Sequence, residues 1–128
     1  MYPSDFYYTK DHEWIKVEGD EGVVGITDFA QHQLGDIIFV ELPQVGAELA
    51  AHQSIGVVES VKSVSDVYSP VAGKIVAVND GLSQTADLLN KDPHGTGWIV
   101  RLKIKDRKEL QGLMKVSDYE KFLEGLEA

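Results

Sequence analysis

Apolar and polar residues alternate in short runs along this chain, and glycine, proline or aspartate interrupts nearly every run. Residues 13–18 place Ile15 and Val17 on one face and Lys16 and Glu18 on the other, the period-two signature of a half-buried strand. Gly19-Asp20-Glu21-Gly22 turns the chain into a second strand over 23–26. Thr27 or Asp28 is placed to cap a short helix over 29–34, which Gly35 ends. A strand over 37–42 follows, closed by Pro43-Gln44-Val45-Gly46, and then a short segment at 48–51. Beyond a valine-rich stretch, residues 74–78 make another strand that ends at Asn79-Asp80-Gly81. A helical turn fits 83–89, Asp92-Pro93-His94-Gly95-Thr96-Gly97 is a loop, and 98–105 alternates as the last strand.

The two ends of the chain read differently. Residues 2–12 are aromatic and lack a clean period, so they are expected to lie irregularly over the body of the domain. The tail at 106–127 reads as helical, weakly over 107–114 and more clearly from Ser117, where Ser117-Asp118-Tyr119-Glu120 matches a capping box. Tyr119, Phe122, Leu123 and Leu126 share one face at helical spacing and are expected to pack against the domain. Short strands separated by turns every ~8–12 residues predict a mainly β fold. The expected form is two small packed antiparallel sheets or a barrel, with a short N-terminal helix and a C-terminal helix. No Gly/Ser-rich or low-complexity linker divides the chain, so residues 1–128 read as one domain. A faint internal echo links Gly35-Asp36-Ile37-Ile38-Phe39-Val40 with Gly73-Lys74-Ile75-Val76-Ala77-Val78.

The valine-rich stretch at about 54–73 is the distinctive part of the chain. Around its lysine the sequence nearly mirrors itself, Ser60-Val61-Lys62-Ser63-Val64, and it ends in a Ser69-Pro70…Gly73 turn signal. Two strands reversing tightly with Lys62 at the tip is the simplest geometry for this pattern. A lysine there projects on a flexible stem and is open to acylation, although an ordinary surface lysine would look the same.

Composition narrows the chemistry. A chain of 128 residues with 43% hydrophobic content suits one soluble domain with a real core. No apolar run approaches the ~18 residues that span a bilayer. The first residues carry neither a secretory signal nor an Arg-rich transit pattern, so the expected location is cytoplasmic, with a mature organellar protein as the alternative. The absence of cysteine removes disulfides, thiolate metal sites and cysteine nucleophiles, so any sulfur chemistry must come from an attached group. A net charge of −9 argues against nucleic-acid binding and favours short-lived, electrostatically steered protein contacts.

No self-contained catalytic site is visible. His12, His32, His52 and His94 form no i, i+4 pair and no H-E-x-x-H motif. There is no G-x-S-x-G elbow, P-loop or dinucleotide fingerprint. A small metal-dependent hydrolase using His12, His52 and Glu13 would rest on residue types alone.

The lysine stretch resembles the lipoyl-attachment segment of the glycine cleavage system H-protein. The matching residues are Val58-Glu59-Ser60-Val61-Lys62, Ser65-Asp66, Ser69-Pro70 and Gly73. The resemblance extends through Tyr8-Thr9-Lys10-Asp11-His12-Glu13-Trp14, Gly25-Ile26-Thr27-Asp28-Phe29-Ala30-Gln31, Leu34-Gly35-Asp36, Phe39-Val40-Glu41-Leu42-Pro43, Leu89-Asn90 and Gly97-Trp98. It implies a lipoyl/biotinyl-type barrel-sandwich hybrid and a non-catalytic carrier with lipoate in amide linkage on Lys62. It further implies that the arm takes an aminomethyl group from the pyridoxal-phosphate-dependent P-protein to the T-protein and is reoxidised by the flavin-containing L-protein. In such a carrier the chemistry belongs to the group and the partners, and the chain supplies attachment and orientation.

By the same correspondence, Glu59 and Gly73 are the positions that a lipoate-attaching enzyme recognises. The plainer reading of Glu59 is a strand surface charge, and that of Gly73 is a turn needing positive φ. The loaded arm of the family folds into a sheltering cleft, and Glu13, Asp66 and Asp11 are the acids placed to meet its ammonium there. Asp11 stands where some relatives have serine. A swinging arm of this kind is compatible with a monomer. The rival carriers fit less well. Biotin carriers place methionine on both sides of the lysine where this chain has Val61 and Ser63. Lipoyl domains of 2-oxoacid dehydrogenases carry Asp-Lys-Ala at the tip and a shorter body.

Overall fold

The computed structural model describes residues 2–127, with the side chain of residue 127 left out. Among the described residues, nine strands form two antiparallel sheets that do not close into a barrel. The larger sheet has the order β1-β2-β3-β9-β8-β5, comprising β1 (Phe6–Tyr8), β2 (Glu13–Glu18), β3 (Glu21–Ile26), β9 (Val100–Ile104), β8 (Gly73–Val78) and β5 (Glu48–Leu49). The smaller has the order β4-β6-β7, comprising β4 (Ile37–Glu41), β6 (Ser54–Ser60) and β7 (Val64–Tyr68). The two echoing segments form β4 and β8, one in each sheet.

The core lies between the sheets. Ile15, Val24, Val58, Ile75, Val100 and Leu102 are all sealed from solvent there. Alternation sets the buried face most plainly in β9, where Val100, Leu102 and Ile104 are buried and Arg101 and Lys103 are not. Helix α1 (Asp28–Leu34) starts where Thr27 Oγ1 accepts the N–H of Ala30 at 3.3 Å and stops at Gly35, whose φ is 79°. Thr27 is therefore the cap, and Asp28 opens the helix.

Three expectations about local structure require correction. The opening is not wholly irregular, because Phe6–Tyr8 pairs with β2, Tyr8 opposite Trp14. Three residues are too short a run to display a period, yet Phe6 and Tyr8 are both buried against Trp14 and Tyr119. The helical turn placed at 83–89 is instead split into a 3₁₀ turn, Asp80–Ser83, and a short helix α2, Leu88–Lys91. Leu82, in the 3₁₀ turn, and Leu89, in α2, are both fully buried in the core.

The C-terminal helix α3 spans Val116–Glu127, so Ser117 lies inside its first turn and is not its cap. Tyr8 and Met114 exchange backbone hydrogen bonds of 2.8 and 2.9 Å immediately before it, and Val116 packs on the aromatic cluster. That docking begins the helix earlier than the capping-box pattern indicates. Tyr119 and Leu123 are buried as the stripe predicts, whereas Leu126 is 51% exposed.

Among the described residues, no helix is long and apolar enough to cross a membrane.

Candidate functional site

Strands β6 and β7 form a hairpin whose reversal is built by one side chain. Ser60 is 5% exposed, and its Oγ accepts the N–H of Ser63 at 3.1 Å and of Lys62 at 3.3 Å. Its own N–H donates to the Ser63 carbonyl at 2.8 Å. A hydroxyl at this position satisfies backbone groups that a tight turn would otherwise leave open. Lys62 therefore sits exposed at the tip of an ordered turn, and among the described residues its ammonium makes no ion pair.

The surface around the tip is unusual in two ways. Ile38, Phe39, Val61 and Val64 are between 51% and 66% exposed, which puts apolar surface beside the tip. Strand register aligns Phe39, Glu59 and Val64 in one row across the small sheet. Lys62 is also the only lysine or arginine between Lys16 and Lys74, whereas Asp36, Glu41, Glu59 and Asp66 all fall on or beside these strands. Among the described residues no hydrogen bond or ion pair engages the Glu59 carboxylate.

The structure brings Asp11, Glu13 and Asp66 to one small cavity of about 150 Å³. It lies between α1 and the hairpin, with Ala30, Leu34, Val58 and Ser65 also in its wall. The three acids differ in environment. Glu13 is 3% exposed, and its carboxylate accepts Thr9 Oγ1–H at 2.6 Å and the N–H of Tyr68 at 3.1 Å. Burial raises its pKa from 4.5 to about 7 against these two hydrogen bonds, with the charge of Asp11 adding slightly. Asp66 is exposed and accepts the Ser54 hydroxyl at 3.1 Å. Asp11 is exposed, and its N–H donates to Thr9 Oγ1 at 3.2 Å.

Next to Glu13, His12 adopts φ 69°, and its Nδ1 lies 2.8 Å from the Tyr119 hydroxyl, itself 2.7 Å from Thr27 Oγ1. Burial lowers the His12 pKa and raises that of Tyr119. This chain of contacts pins the C-terminal helix to the rim of the cavity. His94 is held elsewhere, accepting the N–H of Asp28 at 3.1 Å. Among the described residues no three His, Asp or Glu side chains come together to hold a metal ion.

Gly73 is not at the tip. It opens β8 beyond the base of the hairpin, between Leu49 and Ile104. Its φ is not positive, which corrects the expectation of a turn that only glycine can make. A Cβ there would lie 2.5 Å from the Lys103 carbonyl and 2.8 Å from Leu102 Cδ1, so close strand packing is what demands glycine. It also borders an open groove of about 580 Å³ lined by Lys74, Lys103 and Lys105.

Sequence reasoning does not single out Ser60, Thr9 or Tyr119 for these roles. Ser60 is visible as half of the Ser-Val-Lys-Ser mirror and Tyr119 as part of the helical stripe, but nothing local gives Thr9 or Tyr119 its hydrogen bonds, whose partners depend on tertiary packing.

The comparisons with known proteins agree with one another. The family model described as glycine cleavage H-protein matches residues 6–126. A protein of Carboxydothermus hydrogenoformans named glycine cleavage system H protein is 53% identical over 122 residues, covering 95% of this chain and 94% of its own. Proteins of the same name from Halothermothrix orenii and Listeria monocytogenes are 50% and 52% identical, each aligned over 98% of its own length. The crystal structure of a glycine cleavage system H protein from Mycobacterium marinum superposes with a TM-score of 0.83 at 39% identity, covering 92% of this chain and 95% of that one. Nothing in these matches supports a biotinyl carrier, a 2-oxoacid dehydrogenase domain or a hydrolase. With a family match running through both sheets, the lysine hairpin and the terminal helix, the chain belongs to the glycine cleavage H-protein family.

Proposed function

We propose that this chain is the lipoyl carrier of a glycine cleavage system, with lipoate amide-linked to Lys62. The observation that carries the reading is the tip itself, an exposed primary amine on a turn ordered by Ser60, with apolar surface beside it. The residues present fit the group, since the amine makes no ion pair among the described residues and an acid-lined cavity opens between the hairpin and α1. When bound, lipoate supplies a reversible disulfide at the end of a long arm, chemistry that a chain without cysteine cannot supply.

The chain's own residues do the rest. Glu59 stands in the exposed row beside the tip, where a lipoate-attaching enzyme would read it, and Gly73 serves the same enzyme from the base of the hairpin. Glu13, Asp66 and Asp11 shelter a cationic amine cargo in the cavity. Glu13, poised near pH 7, loses its proton when a cation enters. The partners are the P-, T- and L-proteins and the attaching enzyme. The carrier itself is non-catalytic and works in the cytoplasm.

Intact mass of protein from lipoate-fed cells, with fragment mapping, tests the assignment. One lipoyl increment on Lys62 supports it. No increment after incubation with an active lipoate ligase overturns it, and a biotin increment redirects the protein to carboxylase chemistry.

A further inference from the structure

Two contacts place a short piece of backbone beneath the lysine turn. Gly35 ends α1 with φ 79° and ψ −155°, and a Cβ added there would lie 3.2 Å from Lys62 Cε. The next residue, Asp36, accepts the N–H of Val61 on its carbonyl at 3.0 Å. Gly35, Asp36 and Ile37 therefore form a shelf on which the lysine stem rests and to which the turn is tied.

One side chain holds that shelf. Asn90, on α2, donates through Nδ2 to the Gly35 carbonyl and to Gln31 Oε1, both at 2.9 Å. Its Oδ1 accepts the N–H of Ile37, also at 2.9 Å. Both amide protons and the amide oxygen thus point at the end of α1 and the first residue of β4. Among the described residues Asn90 makes no hydrogen bond to the lysine or to the acids of the cavity, so its influence on either passes through the shelf.

We propose that Asn90 is a positioning residue for modification of Lys62, an inference that rests on the carrier reading above. It fixes the Gly35–Ile37 segment, so that Val61 keeps its acceptor and the lysine stem keeps its support. Without it the Gly35 carbonyl and the Ile37 N–H lose their partners, and the positive-φ glycine between α1 and β4 becomes a hinge. If the acceptor pose is then occupied for only a fraction of the time, the apparent KM for the carrier rises as the inverse of that fraction while kcat holds.

The test uses full-length apo-protein with purified lipoate ligase, lipoate and ATP, alongside hydrogen exchange of the folded protein. In Asn90→Ala, KM for the carrier is expected to rise about fivefold at unchanged kcat. The Val61 amide is expected to exchange faster by a similar factor, while Val58 and Val67 keep their protection. Wild-type KM together with wild-type Val61 exchange in a folded variant overturns the proposal, as does a loss confined to kcat. If Asn90→Ala fails to fold, Asn90→Asp replaces it, keeping the acceptor for Ile37 but losing both donors. The same rise in KM and in Val61 exchange is expected of it, and wild-type values of both overturn the proposal. Failure of wild-type protein to be modified on Lys62 refutes the carrier reading, and Val61 exchange, which needs no ligase, still decides whether Asn90 holds the turn.

Discussion

The carboxylate of Glu13 accepts the backbone N–H of Tyr68 at 3.1 Å, joining the start of β2 in one sheet to the end of β7 in the other. A buried acid thus stitches the lysine hairpin to the body of the domain. Its electrostatics make the stitch sensitive to pH. The folded-state pKa of about 7 exceeds the ordinary 4.5, so folding favours the protonated form. The stabilising contribution is full below about pH 4.5 and is lost as pH rises through 7. Its size is on the order of 3 kcal/mol. Glu13→Gln is expected to remove this fall in stability. His12 and His94, whose pKa values burial lowers, act in the opposite direction in both proteins. Urea unfolding of wild type and variant from pH 4 to 8 isolates the Glu13 contribution, and parallel curves would contradict it.

Lys62→Arg keeps the charge and the stem but removes the acylable amine. Unfolding should be unchanged to within about 0.5 kcal/mol, because the side chain is exposed and makes no ion pair among the described residues. Glycine exchange with the decarboxylase partner should vanish, and retained activity would rule out Lys62 as the attachment point.

Ser60→Ala leaves the N–H groups of Lys62 and Ser63 without their acceptor in a half-closed turn. A loss of roughly 1 kcal/mol is expected by chemical denaturation. Lipoylation should slow along with it. Glu59→Ala should behave in the reverse manner, with stability nearly intact and ligase kcat/KM reduced, because its carboxylate engages nothing among the described residues. Equal losses of stability in the two variants would dissolve that distinction.

The exposed apolar surface should matter to partners and not to folding. Replacing Phe39 and Val64 together by serine removes apolar surface that contributes little to the core. A several-fold rise in KM with ligase and decarboxylase is expected, at constant melting temperature. The acids around the tip are expected to meet basic partner surfaces, so these encounters should weaken with salt in wild type, which kinetics between ~50 and ~300 mM salt would check (the Debye length shrinks below ~10 Å over this range).

Much of this architecture is legible in the chain, for reasons that can be located. Strand β2 is readable because Ile15 and Val17 alternate with Lys16 and Glu18, and α1 because Thr27 and Gly35 punctuate it. The lysine's place at a reversal is readable from the mirrored residues around it. Strand β1 is not, since two buried aromatics in three residues make no period. Asn90 is invisible for a different reason. Its three hydrogen-bond partners lie 53 to 59 residues away, so no local spacing encodes its role. The demand for glycine at position 73 is hidden on similar grounds, because the backbone that crowds it belongs to β9 and not to its own turn.

The link from His12 to Tyr119 spans 107 residues, and that separation bears on how the protein is made. Contacts between distant parts of a chain incur the loop-closure cost late and form slowly. A chain still emerging from the ribosome releases the hairpin and its lysine before α3 is made. Until Tyr119 arrives, His12 and Thr27 lack their shared hydroxyl, and the aromatic stack of Tyr8 on Tyr119 is missing. Completion of the cavity rim therefore follows emergence of the lysine hairpin, in the order in which the two segments are made.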